Sequence, residues 1–536
     1  MAVRIRGLFI RWAGLVTSLL LVAAVPAARL PEEGKREVAN APASLIEAIK
    51  KVTSQPRYRG SFWGFDVQDA KTGDVLYKAN SDKMFTPGSV MKIFSTSTVL
   101  ESLGQDYRFI TPVYRTGSLI KGRLDGNLVL VGSGDFEFGL RERADGTLAY
   151  TNAPAIDHNY ADTGLPGAQL IQGNPLAVLD ELAAQVKRTG VTHVSGQVVV
   201  DDRLFTPFAG WPDGPISPIW VNENVIDVTV TPGAAGAKAV VDYRPKTSAY
   251  SVISEVNTVP SPQKTHVAIT LDGAHRLRVS GQITEGSKPV VQIWQIPKAA
   301  SFARSAFIDA LHRAGITTNA SATGDNPSRL LPHRVSYSKS REIAHHTSPQ
   351  LKQYIKVILK VSYNRGADDM ICLTAVKAGS TNCLSGLTQE LQTIAKLGVS
   401  KSSTILFDGA GSDERDRTSP HDLAVMCQAV GTKPYADAVR DALPILGVDG
   451  TFATTGHGTP AAGHVELKSG TRGASSPDDR QGILTGSSQT GYITAKSGRQ
   501  LVFSNMMANA PFASAADITA INDEQSQITI AVQAAY

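Results

Sequence analysis

Cysteine is scarce in this chain: 3 in 536 residues, at Cys372, Cys383 and Cys427. So few in so long a chain cannot form a disulfide framework, and their spacing fits no zinc module. Cys372 and Cys383 come into pairing range if the helix between them ends at Gly379; free buried thiols are the alternative. The 11 histidines contain no His-Glu-x-x-His; His345 and His346 are adjacent and the rest scattered, so neither a metal nor a cofactor is expected. No Gly-x-Ser-x-Gly is present, which removes one common way of presenting a nucleophilic serine. Beyond the first residues no apolar run is long enough to cross a bilayer, and no repeat of solenoid period occurs.

Net charge is also small. The formal value is +5, but Arg4, Arg6 and Arg11 precede the apolar run Ala13 to Val25 and the small residues Pro26, Ala27 and Ala28. That is the three-part layout of a secretory signal, with cleavage expected near Ala27 or Ala28 and residues 1–28 removed. An uncleaved anchor is the alternative, for which the run is short. Loss of three arginines takes +5 to +2, too little to track nucleic acid. The expected location is therefore the periplasm or cell envelope. With 42% hydrophobic and 19% charged residues, the rest reads as a globular protein of two to four domains.

A short amphipathic helix is predicted from Ala43 to Lys51, then a hairpin from Gly60–Val67 and Val75–Tyr77 around Thr72-Gly73-Asp74. Between about 105 and 340 strands and turns dominate, with a helix at Pro175–Thr189; residues 225 to 300 are almost wholly β-like. The loop at Gly132 and Gly134 opens no helix and is not a phosphate cradle. Helical signals return with Ser348-Pro349, read as a cap and first position of a helix running to Val361. The pattern suggests one domain interrupted by a long insertion.

The chemistry begins at Thr86-Pro87-Gly88-Ser89-Val90-Met91-Lys92. A serine and a lysine three residues apart in a helix started by Pro87 stand on one face, so the lysine can deprotonate the serine without a histidine. Ser-x-x-Lys recurs at Ser118, Ser261 and Ser336. Those matches fall in a strand and turn, before Pro262, and in an uncapped alternating stretch; only Ser89 opens a plausible helix, which stops at Gly104. Ser362-Tyr363-Asn364 sits on a short connection between helices and can aim a hydroxyl and an amide into a cleft, or simply cap a turn. Asp368 and Asp369 read as first-turn acids favoured by the helix dipole. Lys468-Ser469-Gly470 ends an alternating strand and precedes a polar loop from Arg472 to Gln481, whereas Lys496-Ser497-Gly498 reads as the turn of a terminal hairpin.

Ser-x-x-Lys, Ser-x-Asn and Lys-[Ser/Thr]-Gly in that order form the three-motif set of the penicillin-interacting serine enzymes. The chain resembles the class C low-molecular-mass penicillin-binding proteins, D-alanyl-D-alanine carboxypeptidases and endopeptidases. Similar segments include Leu128 to Asp135, Gly210-Trp211-Pro212-Asp213, Val221-Asn222-Glu223-Asn224, Asp408 to Ser412, Arg417 to Pro420, and Leu443 to Thr451. Two departures stand out: Tyr363 where aspartate is common and Ser469 where threonine is usual.

The resemblance implies an α/β (α+β) fold: a serine β-lactamase-like transpeptidase domain with a large β-rich insertion forming two extra domains. Its implied boundaries are 40–104 with 341–536 for the peptidase domain, 105–224 with 315–340 for one insertion domain, and 225–314 for the other. Ser89 is implied as the acylating nucleophile and Lys92 as its base, kept neutral by burial and by the charge of Lys468. Ser362 would relay a proton to the leaving nitrogen. Asn364 would bind the substrate backbone, Lys468 with Ser469 and Gly470 its carboxylate, and the amides of Ser89 and Thr471 the oxyanion. Asp213 would meet the amino end of a peptide side chain. Implied partners are peptidoglycan muropeptides and, as covalent inhibitors, β-lactams. A serine β-lactamase and a catalytically silent wall-binding protein are the rival readings, and membrane contact and dimerisation stay open.

Overall fold

The computed structural model describes residues 41–163, 166–334, 337–476 and 481–536. Residues 1–28, the polar segment from Pro31 to Asn40, and Ser336 lie outside them. The two ends of the described chain meet in one antiparallel sheet, ordered Val465–Ser475, Gly482–Thr494, Gln500–Ala508, Phe62–Asp69 and Val75–Ala79, with Ala510–Phe512 added beside Gly482. The predicted N-terminal hairpin is thus joined to the C-terminal strands, Phe62 facing Ala508 and Asp69 facing Leu501.

Residues Trp63 to Asp69 are all buried because helices cover both faces of this sheet. Alternation along the strand divides them: Trp63, Phe65 and Val67 pack with residues of helices Ala43–Thr53 and Ala515–Ala535. On the other face Gly64 lies against Phe85 and Pro420, the latter opening helix Pro420–Val430. The three helices Lys92–Leu103, Leu351–Lys360 and Asn364–Lys377 pack against one another beneath this face.

The long excursion leaves through strand Arg108–Arg115 and comes back through Glu342–Gln350, and these two pair antiparallel. They share a sheet with Leu128–Val131 and Val198–Asp201. Two three-stranded sheets follow, one built on Val225–Thr231 and the other on Arg276–Thr284. Side chains of 225–314 and 105–224 share one apolar cluster, while Phe136, Phe205, Trp211 and Trp220 reach instead into the cluster around helices Lys92–Leu103, Leu351–Lys360 and Asn364–Lys377.

Several local expectations change. Ser348 and Pro349 belong to strand Glu342–Gln350, and the helix begins only at Leu351. The Ser348 hydroxyl accepts the Phe109 amide at 2.9 Å, so pairing with the outgoing strand takes the residue that would otherwise cap a helix. Asp368 and Asp369 are not exposed first-turn acids; both are fully buried in the second turn of helix Asn364–Lys377. The strand after Lys468 continues through Ser475 and its partner starts at Gly482, which leaves less loop than expected. Cys372 and Cys383 form a disulfide, and Cys427 is a buried free thiol.

Candidate active site

Gly88–Met91 forms a tight 3-10 turn, and the α-helix proper starts at Lys92. Three-residue spacing still places Ser89 and Lys92 on one face, since side chains at i and i+3 eclipse in this geometry. Two glycines let the turn lie against the Lys468 strand. A Cβ on Gly88, whose φ is +58°, would sit 2.7 Å from the Thr471 amide nitrogen, and one on Gly470 would sit 2.7 Å from that of Ser89. The two amides expected to form an oxyanion hole therefore meet at a single backbone contact that any side chain would pry open.

Lys92 is fully buried. Its Nζ lies 2.7 Å from Ser89 Oγ, 2.6 Å from Asn364 Oδ1 and 2.9 Å from the Ala410 carbonyl oxygen. An ammonium would donate to all three. A neutral amine has two N–H groups and one lone pair; the amide and carbonyl oxygens can only accept, so the Ser89 hydroxyl is the sole partner able to donate to the lone pair. Neutral Lys92 thus takes its hydrogen bond from Ser89 Oγ, the direction a general base requires. Burial lowers the Lys92 pKa to about 8, against the opposing pull of Asp213, Asp408 and Asp368.

Lys468 is equally buried, and its Nζ donates to the Ser469 carbonyl at 2.7 Å. Burial, with Lys92 adding to it, drives the Lys468 pKa well below its ordinary value. The expectation that Lys468 supplies the positive charge suppressing Lys92 is therefore corrected. Desolvation is the main cause that disfavours charge on both amines, and the groups acting on Lys92 through charge are carboxylates.

The second motif is held in an unusual conformation. Ser362 has φ of +65°, outside the range comfortable for a side chain, on the link between helices Leu351–Lys360 and Asn364–Lys377. The Tyr160 hydroxyl donates to the Ser362 carbonyl and lies 3.1 Å from Asn364 Oδ1. Asn364 Nδ2 donates to Asp213 Oδ1 at 2.7 Å, which fixes the orientation of the amide because a carboxylate only accepts. One N–H of Asn364 remains for a substrate carbonyl. Tyr363 is buried with its ring 5.3 Å from the Phe136 ring, an edge contact with the insertion, and it also borders the cleft beside the motif. A cleft of about 250 Å³ opens beside the motif, lined by Tyr160, Asp162, Pro212, Asp213, Asn364 and Arg365.

Behind Lys92, Asp408 accepts the amides of Ala410, Gly411, Ser412 and Asp413 at 2.6 to 3.2 Å. It folds that loop so that the Ala410 carbonyl meets Lys92. Asp368 receives the Gly409 amide at 2.9 Å, and burial pushes its carboxyl well above the usual range.

On the insertion side lies a denser ionic group. Arg141 contacts Asp157 at 2.8 Å and Glu223 at 2.7 Å; His158 contacts Asp227 at 2.7 Å and Glu223 at 3.4 Å. Burial opposes charge on His158, but Asp227 and Glu223 outweigh it and raise the pKa to about 10. Arg365, next to Asn364, donates to the Glu223 carbonyl at 2.8 Å. Asp157 also caps the turn His158–Tyr160, so this group anchors Tyr160.

Ser89, Lys92, Asn364 and Asp213 thus lie in one hydrogen-bonded chain. Gly470 and Thr471 line the Ser89 turn, and Ser362 and Ser469 flank it half-buried. Tyr160, Asp408 and the Ala410 carbonyl escape sequence reasoning. Asp408 falls in a segment that could have marked them; nothing around Tyr160 does.

Comparison with known proteins adds the family. The model of the D-Ala-D-Ala carboxypeptidase 3 (S13) family matches residues 45–532. A D-alanyl-D-alanine carboxypeptidase of Actinomadura sp. (strain R39) is 26% identical over 452 residues, covering 80% of this chain and 76% of that protein. The D-alanyl-D-alanine carboxypeptidase DacB of Haemophilus influenzae is 20% identical over 413 residues, 74% of this chain and 77% of that one. The crystal structure of penicillin binding protein 4 from Haemophilus influenzae superposes with a TM-score of 0.69 at 18% identity, covering 91% of this chain and 99% of that chain. The fold is thus the mixed α/β fold expected.

Proposed function

Since the chain belongs to the D-Ala-D-Ala carboxypeptidase 3 (S13) family and is a serine-type hydrolase, we propose that Ser89 cleaves D-Ala-D-Ala bonds of peptidoglycan stem peptides through an acyl-enzyme. The observation that carries this reading is the 2.7 Å contact of Ser89 Oγ with a lysine whose other two partners can only accept. Neutral Lys92 takes the proton from Ser89 Oγ as that oxygen attacks the carbonyl carbon of the penultimate D-alanine. The amides of Ser89 and Thr471 receive the oxyanion, a contribution of about 3 kcal/mol per donor. The tetrahedral intermediate collapses, the C–N bond breaks, and the leaving D-alanine nitrogen takes a proton by way of Ser362. Water then attacks the ester and returns Ser89.

Asn364 uses its remaining N–H on the substrate backbone. Lys468, with Ser469 and Gly470, receives the terminal carboxylate. An arriving anion favours the charged form of Lys468, against the burial that disfavours it. Asp213, facing the cleft, meets the amino end of the peptide side chain. The reading further assigns the chain to the periplasm or cell envelope, on the strength of the Arg4–Ala28 pattern, and makes β-lactams covalent inhibitors, because their ring amide offers Ser89 the same attack.

Defined muropeptides, monomeric and cross-linked, incubated with wild type and Ser89→Ala test this. Wild type should release D-alanine or split the cross-link, and the ratio of these products assigns carboxypeptidase or endopeptidase action. Ser89→Ala should do neither. Release by Ser89→Ala, or binding by wild type without cleavage, ends the proposal.

A further inference from the structure

Asp135, Glu142 and His346 converge outside the Ser89 site, with one ligand atom from each lying within 4.8 Å of the others. The two oxygens of Asp135 differ. Oδ1 accepts the Tyr354 hydroxyl at 2.6 Å, the Phe138 amide at 2.9 Å and the Glu137 amide at 3.2 Å. Oδ2 is buried without a hydrogen-bond partner among the described residues, and the residue is only 2% exposed. It is turned toward His346, whose Nε2 stands 3.9 Å from it and 3.0 Å from Glu142 Oε1.

Two donors on one divalent ion, each about 2 Å from it, stand about 3 to 3.5 Å apart at tetrahedral or octahedral angles. The Glu142 to His346 separation already has that value, a few tenths of an ångström closes the 3.9 Å between His346 and Asp135, and Asp135 and Glu142 lie within 4.8 Å of each other. As metal ligands, two carboxylates and an imidazole that has given up its Nε2 proton would carry −2, which a divalent cation cancels while giving Asp135 Oδ2 the partner it lacks. The donors bound to Asp135 Oδ1 hold the carboxylate in place, as hydrogen-bonded outer groups do for metal ligands, and the Phe138 ring packs edge-on against the His346 ring. Glu142 is 23% exposed, which leaves a way in for the ion and room for water ligands.

We propose that Asp135, Glu142 and His346 bind a divalent transition-metal cation of the Zn²⁺ or Mn²⁺ type. Nitrogen with carboxylate oxygen suits these ions better than Ca²⁺ or Mg²⁺, which favour oxygen alone. The ion's role is structural. It ties the segment 135–142, which carries Phe136 against Tyr363 and Arg141 into the ionic group beneath Tyr160, to strand Glu342–Gln350, which leads into the helix before Ser362. It touches neither Ser89 nor Lys92.

The test uses the full chain, treated with EDTA, desalted, and titrated separately with ZnCl₂, MnCl₂, CoCl₂ and MgCl₂. Bound metal per chain, the visible absorption of the Co²⁺ form and the melting temperature are read. One Zn²⁺ or Mn²⁺ per chain, a melting temperature raised by several degrees and a weaker response to Mg²⁺ are expected. Glu142→Gln, at the partly exposed rim, should weaken binding at least tenfold and abolish the rise; His346→Gln should do the same. The proposal is overturned if wild type retains no ion and does not shift, or if it binds one that neither substitution weakens. D-alanine release is not the readout, so this result stands apart from the fate of the Ser89 reading.

Discussion

Lys92 and Lys468 on one side of the second motif, and Arg141 and His158 on the other, are all fully buried cations or potential cations. Their surroundings separate them. Arg141 touches three carboxylates and His158 two within 3.4 Å, and His158 holds its proton up to about 10. Lys92 touches a hydroxyl, an amide oxygen and a carbonyl, with no carboxylate in contact among the described residues, and gives up its proton at about 8. Burial alone therefore does not make a base. A buried cation holds its proton more tightly where carboxylates touch it, and gives it up more readily where its direct contacts are dipoles. Asp213 and Asp408 stand close enough to raise Lys92 but not enough to cancel its desolvation.

The comparison breaks most readily at Lys92. Lys92→Met should slow acylation of Ser89 by about a thousandfold, read as the rate of penicillin labelling, without lowering stability at neutral pH. A lysine with a native pKa near 8 costs the fold about 3 kcal/mol wherever the unfolded chain protonates it more readily. A large loss of stability in this variant would make Lys92 a compensated cation like Arg141. Arg141→Met is the mirror experiment. It leaves Glu137, Glu223 and Asp157 without the guanidinium they share and should destabilise the protein by about 3 to 5 kcal/mol in urea unfolding.

Opposite pH dependences sharpen the contrast further. The folded pKa of His158 lies above its unfolded value, so its contribution is complete below about 6.5 and declines as pH rises toward about 10. Lys92 runs the other way: its folded value lies below the unfolded one, and its penalty is relieved between about 8 and 10.5. Between pH 7 and 9 wild type should lose roughly 3 kcal/mol more than His158→Gln; parallel stability curves for the two proteins would remove His158 from the account. The smallest expected effect is at Tyr160, where Phe deletes the hydroxyl bonded to Ser362 and Asn364. A drop of about tenfold in kcat, with KM little changed and the melting temperature kept, would mark Tyr160 as a positioning residue; an equal rise in KM would make it a substrate contact.

What could be read from the sequence follows from how local each cause is. The Ser89 and Lys92 pair, the terminal hairpin at Lys496 to Gly498 and the strand carrying Lys468 depend on neighbours in the chain, and all were legible. The Ser348 cap was misread because its competitor, strand Arg108–Arg115, lies more than two hundred residues away. Asp368 and Asp369 carry no local sign of burial, since the same pair suits a solvated helix start. The role of Lys468 was misjudged for a related reason. Order of motifs indicates that two lysines share a cleft, but only packing decides which of them keeps a proton. Tyr160 and the triad of Asp135, Glu142 and His346 have no spacing to detect, because the fold alone assembles them.

The central claim is that a neutral, uncompensated Lys92 takes the proton of Ser89. Its most direct test is the rate of Ser89 acylation by a penicillin from pH 5 to 10, followed by intact mass. The account predicts a tenfold rise per unit that levels off near 8. A flat profile, or a rate that falls as pH rises, would contradict it.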